Sequence, residues 1–197
     1  ENYPWIVVFA HRPMYSSNGD GDGHGSEIEF REAMESLLFD YQVDLAIWGH
    51  DHHYERTYPV FEEDVYSNNS GSHNDPFYKP GATIHIVAGM AGRSTYDGLE
   101  EPQPLWSAYR EVAYGYTLFE ATETSINYKF IRNSDMQIAD EFWLVNSMEI
   151  QEPEENPKIY YNQTNQTEDS NHINQIKELN YLETPLSVII IAITAIF

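Results

Sequence analysis

Trp5-Ile6-Val7-Val8-Phe9-Ala10-His11 and Val43-Asp44-Leu45-Ala46-Ile47-Trp48-Gly49-His50 bound the stretch on which the fold turns. Each opens as a continuous apolar run rich in β-branched and aromatic side chains, the pattern of a strand buried on both faces. Between them, Ser16 to Gly25 is a Gly/Asp/Ser loop, and Ser26 with Glu29 has the spacing of a capping box that starts a helix. Phe30, Ala33, Met34, Leu37, Leu38 and Tyr41 then recur at helical spacing. The segment therefore reads as strand, helix, strand, a unit that implies parallel neighbours and an α/β fold. A right-handed crossover brings His11 and Gly49 to the same edge of one sheet, where open α/β sheets hold their ligands.

Further along, residues 57–80 turn polar, with a surface loop at Asn68-Asn69-Ser70-Gly71-Ser72. Strand signals resume at Thr83 to Ala88, followed by a Gly89-Met90-Ala91-Gly92 turn. Tyr114 to Ala121, Ser125 to Arg132 and Ile138 to Val145 read as an antiparallel meander that extends a sheet and does not start a new domain. Beyond Met148 the chain is acidic, rich in Asn and Gln and without periodicity, which predicts a flexible tail over 148–184. Leu186 to Phe197 is almost wholly apolar but shorter than the ~20 residues of a bilayer span, so one reading of 185–197 is a truncated membrane anchor. The sequence opens on Glu1 without a signal segment and reads as a fragment.

The 32 acidic and 10 basic residues give a formal net charge of −22, which repels a phosphodiester backbone and excludes nucleic acid as an expected partner. With no cysteine, disulfides, thiolate nucleophiles and Cys-type zinc sites are excluded; any metal must be held by imidazole, carboxylate, amide or phenol groups. Three Asn-x-Ser/Thr sequons, at Asn68, Asn162 and Asn165, point to a secreted or lysosomal glycoprotein, membrane-anchored if the apolar end is an anchor.

His50 and His52 alternate with Asp51 directly after a strand. An extended backbone there projects both imidazoles to one side, with Gly49 allowing a tight turn. An isolated His-x-His is more often a polar loop than a metal site. The longer strings decide otherwise. Gly49-His50-Asp51-His52-His53-Tyr54-Glu55-Arg56, together with Ala10-His11-Arg12-Pro13-Met14-Tyr15, resembles the purple acid phosphatases, members of the calcineurin-like metallophosphoesterases. Ile84 to Gly92, Trp106 to Arg110 with Tyr114-Gly115-Tyr116, and Ala139 to Leu144 look like that family's C-terminal region, so the resemblance covers roughly Trp5 to Asn146.

The resemblance implies the C-terminal half of a metallophosphoesterase α/β/β/α sandwich with terminal antiparallel strands. Residues 1–60 would be part of the catalytic domain and 78–147 the family's C-terminal region. It implies phosphomonoester hydrolysis at a dinuclear centre of Fe(III) with Zn(II), Mn(II) or Fe(II), acting on a small-molecule substrate. His11 and His50 match ligands of the divalent metal and His52 a ligand of the ferric one. His24 falls where the family places a histidine that contacts phosphate and protonates the leaving oxygen; a solvated loop histidine is the alternative. The family's Gly-Asp-x-Gly, Gly-Asp-x-x-Tyr and Gly-Asn-His-Glu motifs do not occur here and are expected upstream of Glu1. Without their carboxylates, three neutral imidazoles cannot offset the repulsion of two cations, so this segment alone is expected to bind one divalent ion and to lack activity.

Two other readings compete. A phosphodiesterase or nucleotide pyrophosphatase would use the same centre. Alternatively, Asn18, Asp20, Asp22, Gly23 and Glu29 occupy positions of an EF-hand loop, which would make this a calcium module, although Gly25 and the preceding strand with Pro13 oppose it. Tyr54, Glu55 and Arg56 are expected to orient the metal-binding histidines or to form surface ion pairs. Arg12 and Arg110 could meet phosphate or equally be structural. His85 reads as a core histidine, His73 and His172 as loop and tail residues, and His53 as a neighbour of the ligands.

Overall fold

The two apolar runs form strands because alternate side chains find apolar cover on both sides. In the computed structural model, residues 3–19, 23–95 and 98–147 are described, together with the backbone of 188–192. The elements are β1 (Trp5–Ala10), α1 (Ile28–Asp40), β2 (Leu45–Trp48), β3 (Tyr54–Thr57), β4 (Val60–Phe61), β5 (Asp64–Val65), β6 (Phe77–Tyr78), β7 (Ile84–Ala88), β8 (Ser107–Glu111), β9 (Gly115–Ala121), β10 (Ser125–Arg132), β11 (Ile138–Val145) and β12 (Val188–Ala192). A six-stranded sheet has the order β12-β1-β2-β7-β3-β8, a four-stranded sheet the order β6-β11-β10-β9, and β4 with β5 forms a small hairpin.

Period-two alternation sorts the core into two layers. Trp5, Val7, Leu45, Ile84 and Ile86 face the four-stranded sheet, packing with Phe77, Tyr128, Phe130, Phe142 and Leu144. Val8, Ala46 and Trp48 belong to a second cluster that takes in Leu38 of α1. Helix, sheet and sheet thus stack as the expected mixed α/β sandwich. The meander of β9, β10 and β11 joins β6 and not the six-stranded sheet. It forms a second one, because its apolar alternation supplies the face that the first sheet must cover.

The helix differs from expectation at its start and on one face. Glu27 is the N-cap, without a side-chain cap bond, while Ser26 Oγ is taken up by the backbone N–H and carbonyl of Ser16. Leu37 and Tyr41 are exposed. The buried positions are Leu38 and Glu35, whose carboxylate accepts from Tyr15 Oη and from the Glu62 amide.

At the apolar end, the described backbone of Val188–Ala192 runs parallel to β1, with Trp5 opposite Val188 and Phe9 opposite Ala192. No helix among the described residues is long and apolar enough to cross a membrane. The expected tail over 148–184 lies outside the described residues.

Asp44 enters β2 half-buried, its Oδ2 accepting from the Ile6 amide at 2.8 Å. Burial pushes its carboxyl up from the ordinary 3.8 to about 6. The folded state therefore holds this proton more tightly than the unfolded chain. Stability falls as pH rises from about 4 to about 6, and the full penalty is present at pH 7. Asp44→Asn keeps an acceptor for Ile6 and should gain about 2 kcal/mol at pH 7 and almost nothing at pH 4. Urea midpoints at the two pH values check this, and an equal gain at both would refute it.

Candidate metal centre

Three parallel strands, β1, β2 and β7, end at one edge, and the site is built where their chains leave the sheet. The Gly49 amide donates to the His11 carbonyl at 3.0 Å, tying the exit of β2 to that of β1. His11 and His50 meet edge to face with ring centroids 4.9 Å apart, and His11 Nε2 lies 3.1 Å from His50 Nδ1. His24, from the loop before α1, lies over them, its ring 4.6 Å from His50 and 6.3 Å from His52. His11, His24, His50 and His52 are thereby brought together.

The backbone achieves this differently from the extended arrangement expected of His50 and His52. His50 itself is left-handed, with φ 66°, and the Asp51 amide folds back onto the Gly49 carbonyl at 2.8 Å. Such a conformation strains a residue with a Cβ by roughly 1–2 kcal/mol, a feature that clusters at functional sites. Gly49 is not where the turn needs glycine. A Cβ there would make only ordinary contacts, 3.6 Å from His11 Nδ1. The glycine the turn requires is Gly89, just after β7, where a Cβ would sit 2.1 Å from the Asp51 carbonyl oxygen. The only signal for it in the sequence was a Gly-x-x-Gly turn following a strand.

Each ring's partner fixes its tautomer, since a carbonyl can only accept. His52 Nδ1 donates to the Ser94 carbonyl at 2.8 Å, which puts the ring's lone pair on Nε2, the nitrogen that could ligate a metal. His50 Nε2 donates to the Gly23 carbonyl at 3.2 Å, which turns the Nδ1 lone pair toward His11. Burial holds the His50 pKa below its ordinary value, favouring the neutral ring that metal ligation requires. The 3.1 Å between His11 Nε2 and His50 Nδ1 is a spacing that two ligands of one cation, with bonds of about 2.0–2.1 Å, can share. The imidazoles thus fit one cation, while a second needs oxygen donors. Ligand atoms of His24, His50 and Asp51 also lie within 4.8 Å of one another. The buried Asp51 carboxylate, however, is already used: Oδ2 accepts from Gly25 N at 3.0 Å and from Ser16 Oγ, and Oδ1 lies 3.1 Å from His24 Nδ1.

Tyr54, Glu55 and Arg56 do not orient the histidines of the cluster. Tyr54 and Arg56 point to the other sheet and bond Asp140. Glu55 accepts from the Ser17 amide at 2.7 Å, Ser107 Oγ at 2.6 Å and His53 Nε2 at 3.1 Å. Burial alone would raise the Glu55 pKa, but these bonds outweigh it and hold it low. His53 is thus part of a buried network that holds the loop, missed because its neighbours in sequence are the ligands.

Arg12 pairs with Glu27. Arg110 bonds Ser17 Oγ, the Glu100 carbonyl and Glu101, so both guanidinium groups brace loops. His85 is buried, accepts from Trp48 Nε1 at 3.1 Å, and is kept neutral by burial, which pushes its pKa down to about 3. For the calcium reading, the strand β1 stands where an entering helix should be, Asn18 bridges Leu99, and Glu29 is exposed on α1. Asp20 and Asp22 lie outside the described residues.

Residues 1–54 match the family model for calcineurin-like phosphoesterases, and residues 82–141 match that for the iron/zinc purple acid phosphatase-like protein C. The chain belongs to the purple acid phosphatase family. All four converging histidines lie in the first matched segment. Acid phosphatase type 7 of Homo sapiens is 37% identical over 155 residues, covering 72% of this chain and 34% of that protein. The probable inactive purple acid phosphatase 1 of Arabidopsis thaliana is 35% identical over 146 residues, covering 72% and 23%. The structure of a purple acid phosphatase from yellow lupin (Lupinus luteus) seeds superposes with a TM-score of 0.63 at 29% identity, covering 74% of this chain and 25% of that one. The chain thus spans about a third or less of the length of these purple acid phosphatase relatives. Membership in the family implies a dinuclear metal centre.

Proposed function

We propose that this chain supplies the imidazole half of a dinuclear centre that hydrolyses phosphomonoesters in the intact protein. The observation that carries this reading is the convergence of His11, His24, His50 and His52 at the carboxyl edge, with His11 Nε2 and His50 Nδ1 3.1 Å apart. His11 and His50 would hold a divalent ion, Zn(II), Mn(II) or Fe(II). His52, through Nε2, would contribute to an Fe(III) site whose hard oxygen ligands come from outside this chain. When bound, the two cations supply Lewis-acid polarisation of the phosphoryl group and a water of lowered pKa. His24, whose ring lies over that of His50, would give a proton to the leaving oxygen.

Because both Asp51 oxygens are committed within the protein, this chain alone should bind one divalent ion and hydrolyse nothing. Calorimetric titration with Zn(II) should show one ion per chain, weakened at least about tenfold by His11→Ala or His50→Ala and unchanged by His73→Ala. Undiminished binding by the His11→Ala/His50→Ala double variant would defeat the proposal. In the intact protein, a phosphomonoester should be turned over in preference to a phosphodiester, and the reverse would favour the phosphodiesterase reading.

The secretory route follows from the sequons, and Asn68 is exposed on a loop, open to modification. Expression in a secreting cell should give a chain whose mobility shifts on glycosidase treatment, with a smaller shift for Asn68→Gln. An unglycosylated product would remove this localisation. Anchoring by the apolar end would further require that residues beyond the described strand enter a membrane.

A further inference from the structure

We propose that the outer edge of β1 is a strand-binding site whose ligand is the uncharged, β-branched segment at the apolar end of this chain, bound parallel and exchangeable between copies.

The alternation of β1 shows what the site offers. The Ile6 amide donates to the Asp44 carboxylate at 2.8 Å, and the Ile6 carbonyl accepts from the Asp44 amide at 3.0 Å. Both backbone groups of Ile6 therefore face the β2 side. Successive residues of a strand turn their amide and carbonyl to opposite sides, so Trp5, Val7 and Phe9 present theirs to the outer edge. Trp5 and Val7 are buried. An unfilled edge there would leave a row of amides and carbonyls beside apolar side chains, the condition that recruits another strand.

What fills it is the backbone of Val188–Ala192, paired without a break from Trp5 opposite Val188 to Phe9 opposite Ala192. Among the described residues, β12 stands at the end of the sheet order and pairs with no other strand. Its residues, Val-Ile-Ile-Ile-Ala, are of the kind strands favour, and Ser187 to Phe197 carries no charged side chain. Such a segment left in water pairs readily with other strands, so it and the β1 edge cover one another. Residues 146–187 separate β12 from β11, enough chain to span more than roughly 100 Å when extended. The same segment can therefore reach the β1 edge of a second copy, which is strand exchange.

The register supplies the test. In a parallel ladder a residue bonds to the two neighbours of its partner, so Val7, opposite Ile190, meets the Ile189 carbonyl and the Ile191 amide. The Ile190 amide points away from β1. In the full chain, Ile191→Pro should release the strand, and the Val7 and Phe9 amides should exchange with solvent at least about tenfold faster. Val8, which faces β2, should keep its protection. Ile190→Pro removes only the outward amide and should leave Val7 and Phe9 protected. A peptide of residues 186–194, with lysines added at its ends for solubility, should restore protection to the Ile191→Pro chain, and the same peptide carrying Ile191→Pro should not.

If Ile190→Pro is as damaging as Ile191→Pro, the proposed register is overturned. Failure of the peptide to restore protection would overturn occupation by a second copy. Loss of protection in the wild type on adding phosphatidylcholine vesicles would give the segment to a membrane and sink the proposal. Because no other described strand covers that edge, fast exchange at Val7 and Phe9 in the wild type refutes it even if Ile191→Pro precipitates.

Discussion

Asp140→Asn is expected to cost about 3–5 kcal/mol of stability, the largest effect of any single substitution proposed for this chain. Asp140 on β11 receives Arg56 Nε at 2.7 Å and a second guanidinium nitrogen at 2.9 Å, a bidentate pair, and also Tyr54 Oη at 2.8 Å. Arg56 lies over the Phe142 ring, 5.1 Å from its centroid. These residues join β3 of the six-stranded sheet to β11 of the four-stranded one, in the middle of the sandwich. Burial works against the charge on Arg56, but the bonds and charge of Asp140 outweigh it and hold its pKa above the ordinary value.

Neutralising Asp140 leaves that guanidinium buried against a neutral amide, so the desolvation is no longer offset. The double variant Arg56→Met/Asp140→Leu removes both charges and should lose far less than the single change. Urea unfolding of the three proteins closes the cycle. A loss under about 1 kcal/mol for Asp140→Asn would mean that the pair does not hold the sheets together.

The same residues show what the sequence could and could not reveal. The strand, helix, strand unit was legible because both of its strands are buried on two faces and leave unbroken apolar runs. From that followed the common edge at which His11 and the Gly49 turn meet. Tyr54-Glu55-Arg56 misled because adjacency in sequence suggested adjacency to the histidines. Alternation on β3 instead sends Tyr54 and Arg56 to the second sheet and Glu55 to the opposite face, toward Ser17 and Ser107.

Which side of β3 would meet a second sheet depends on Asp140, 86 positions from Tyr54 and 84 from Arg56, and no local pattern encodes it. The capping box failed for a similar reason: Ser26 found the Ser16 backbone, a tertiary partner, before it could cap α1. Propensity points to Gly49 for the tight turn. In the structure His50 takes the left-handed backbone there, because the packing against Gly89 and the buried Asp51 over-determine the turn.

Gly89→Ala supplies the second large effect and separates those two glycines. A methyl at Gly89 would lie 2.1 Å from the Asp51 carbonyl oxygen, 2.9 Å from its carbon and 3.4 Å from the Gly49 carbonyl carbon. All three are backbone atoms, and no flexible side chain can swing aside. Either the end of β7 retreats or the 49–52 turn shifts, and the second outcome moves His50, whose Nδ1 must stay near His11 Nε2. The expected loss is about 3 kcal/mol, with Zn(II) affinity falling at least about tenfold because the two imidazoles no longer share one cation.

Gly49→Ala should cost under about 1 kcal/mol and leave Zn(II) binding intact, since its contacts begin at 3.6 Å. Gly92→Ala should lose roughly 1–2 kcal/mol through its φ of 107° alone and also spare the ion, because a Cβ there meets nothing within 4 Å. Thermal unfolding and zinc titration of the three variants rank them. If Gly49→Ala proves the more damaging, the glycine of the histidine motif, and not the one across from it on β7, shapes the site.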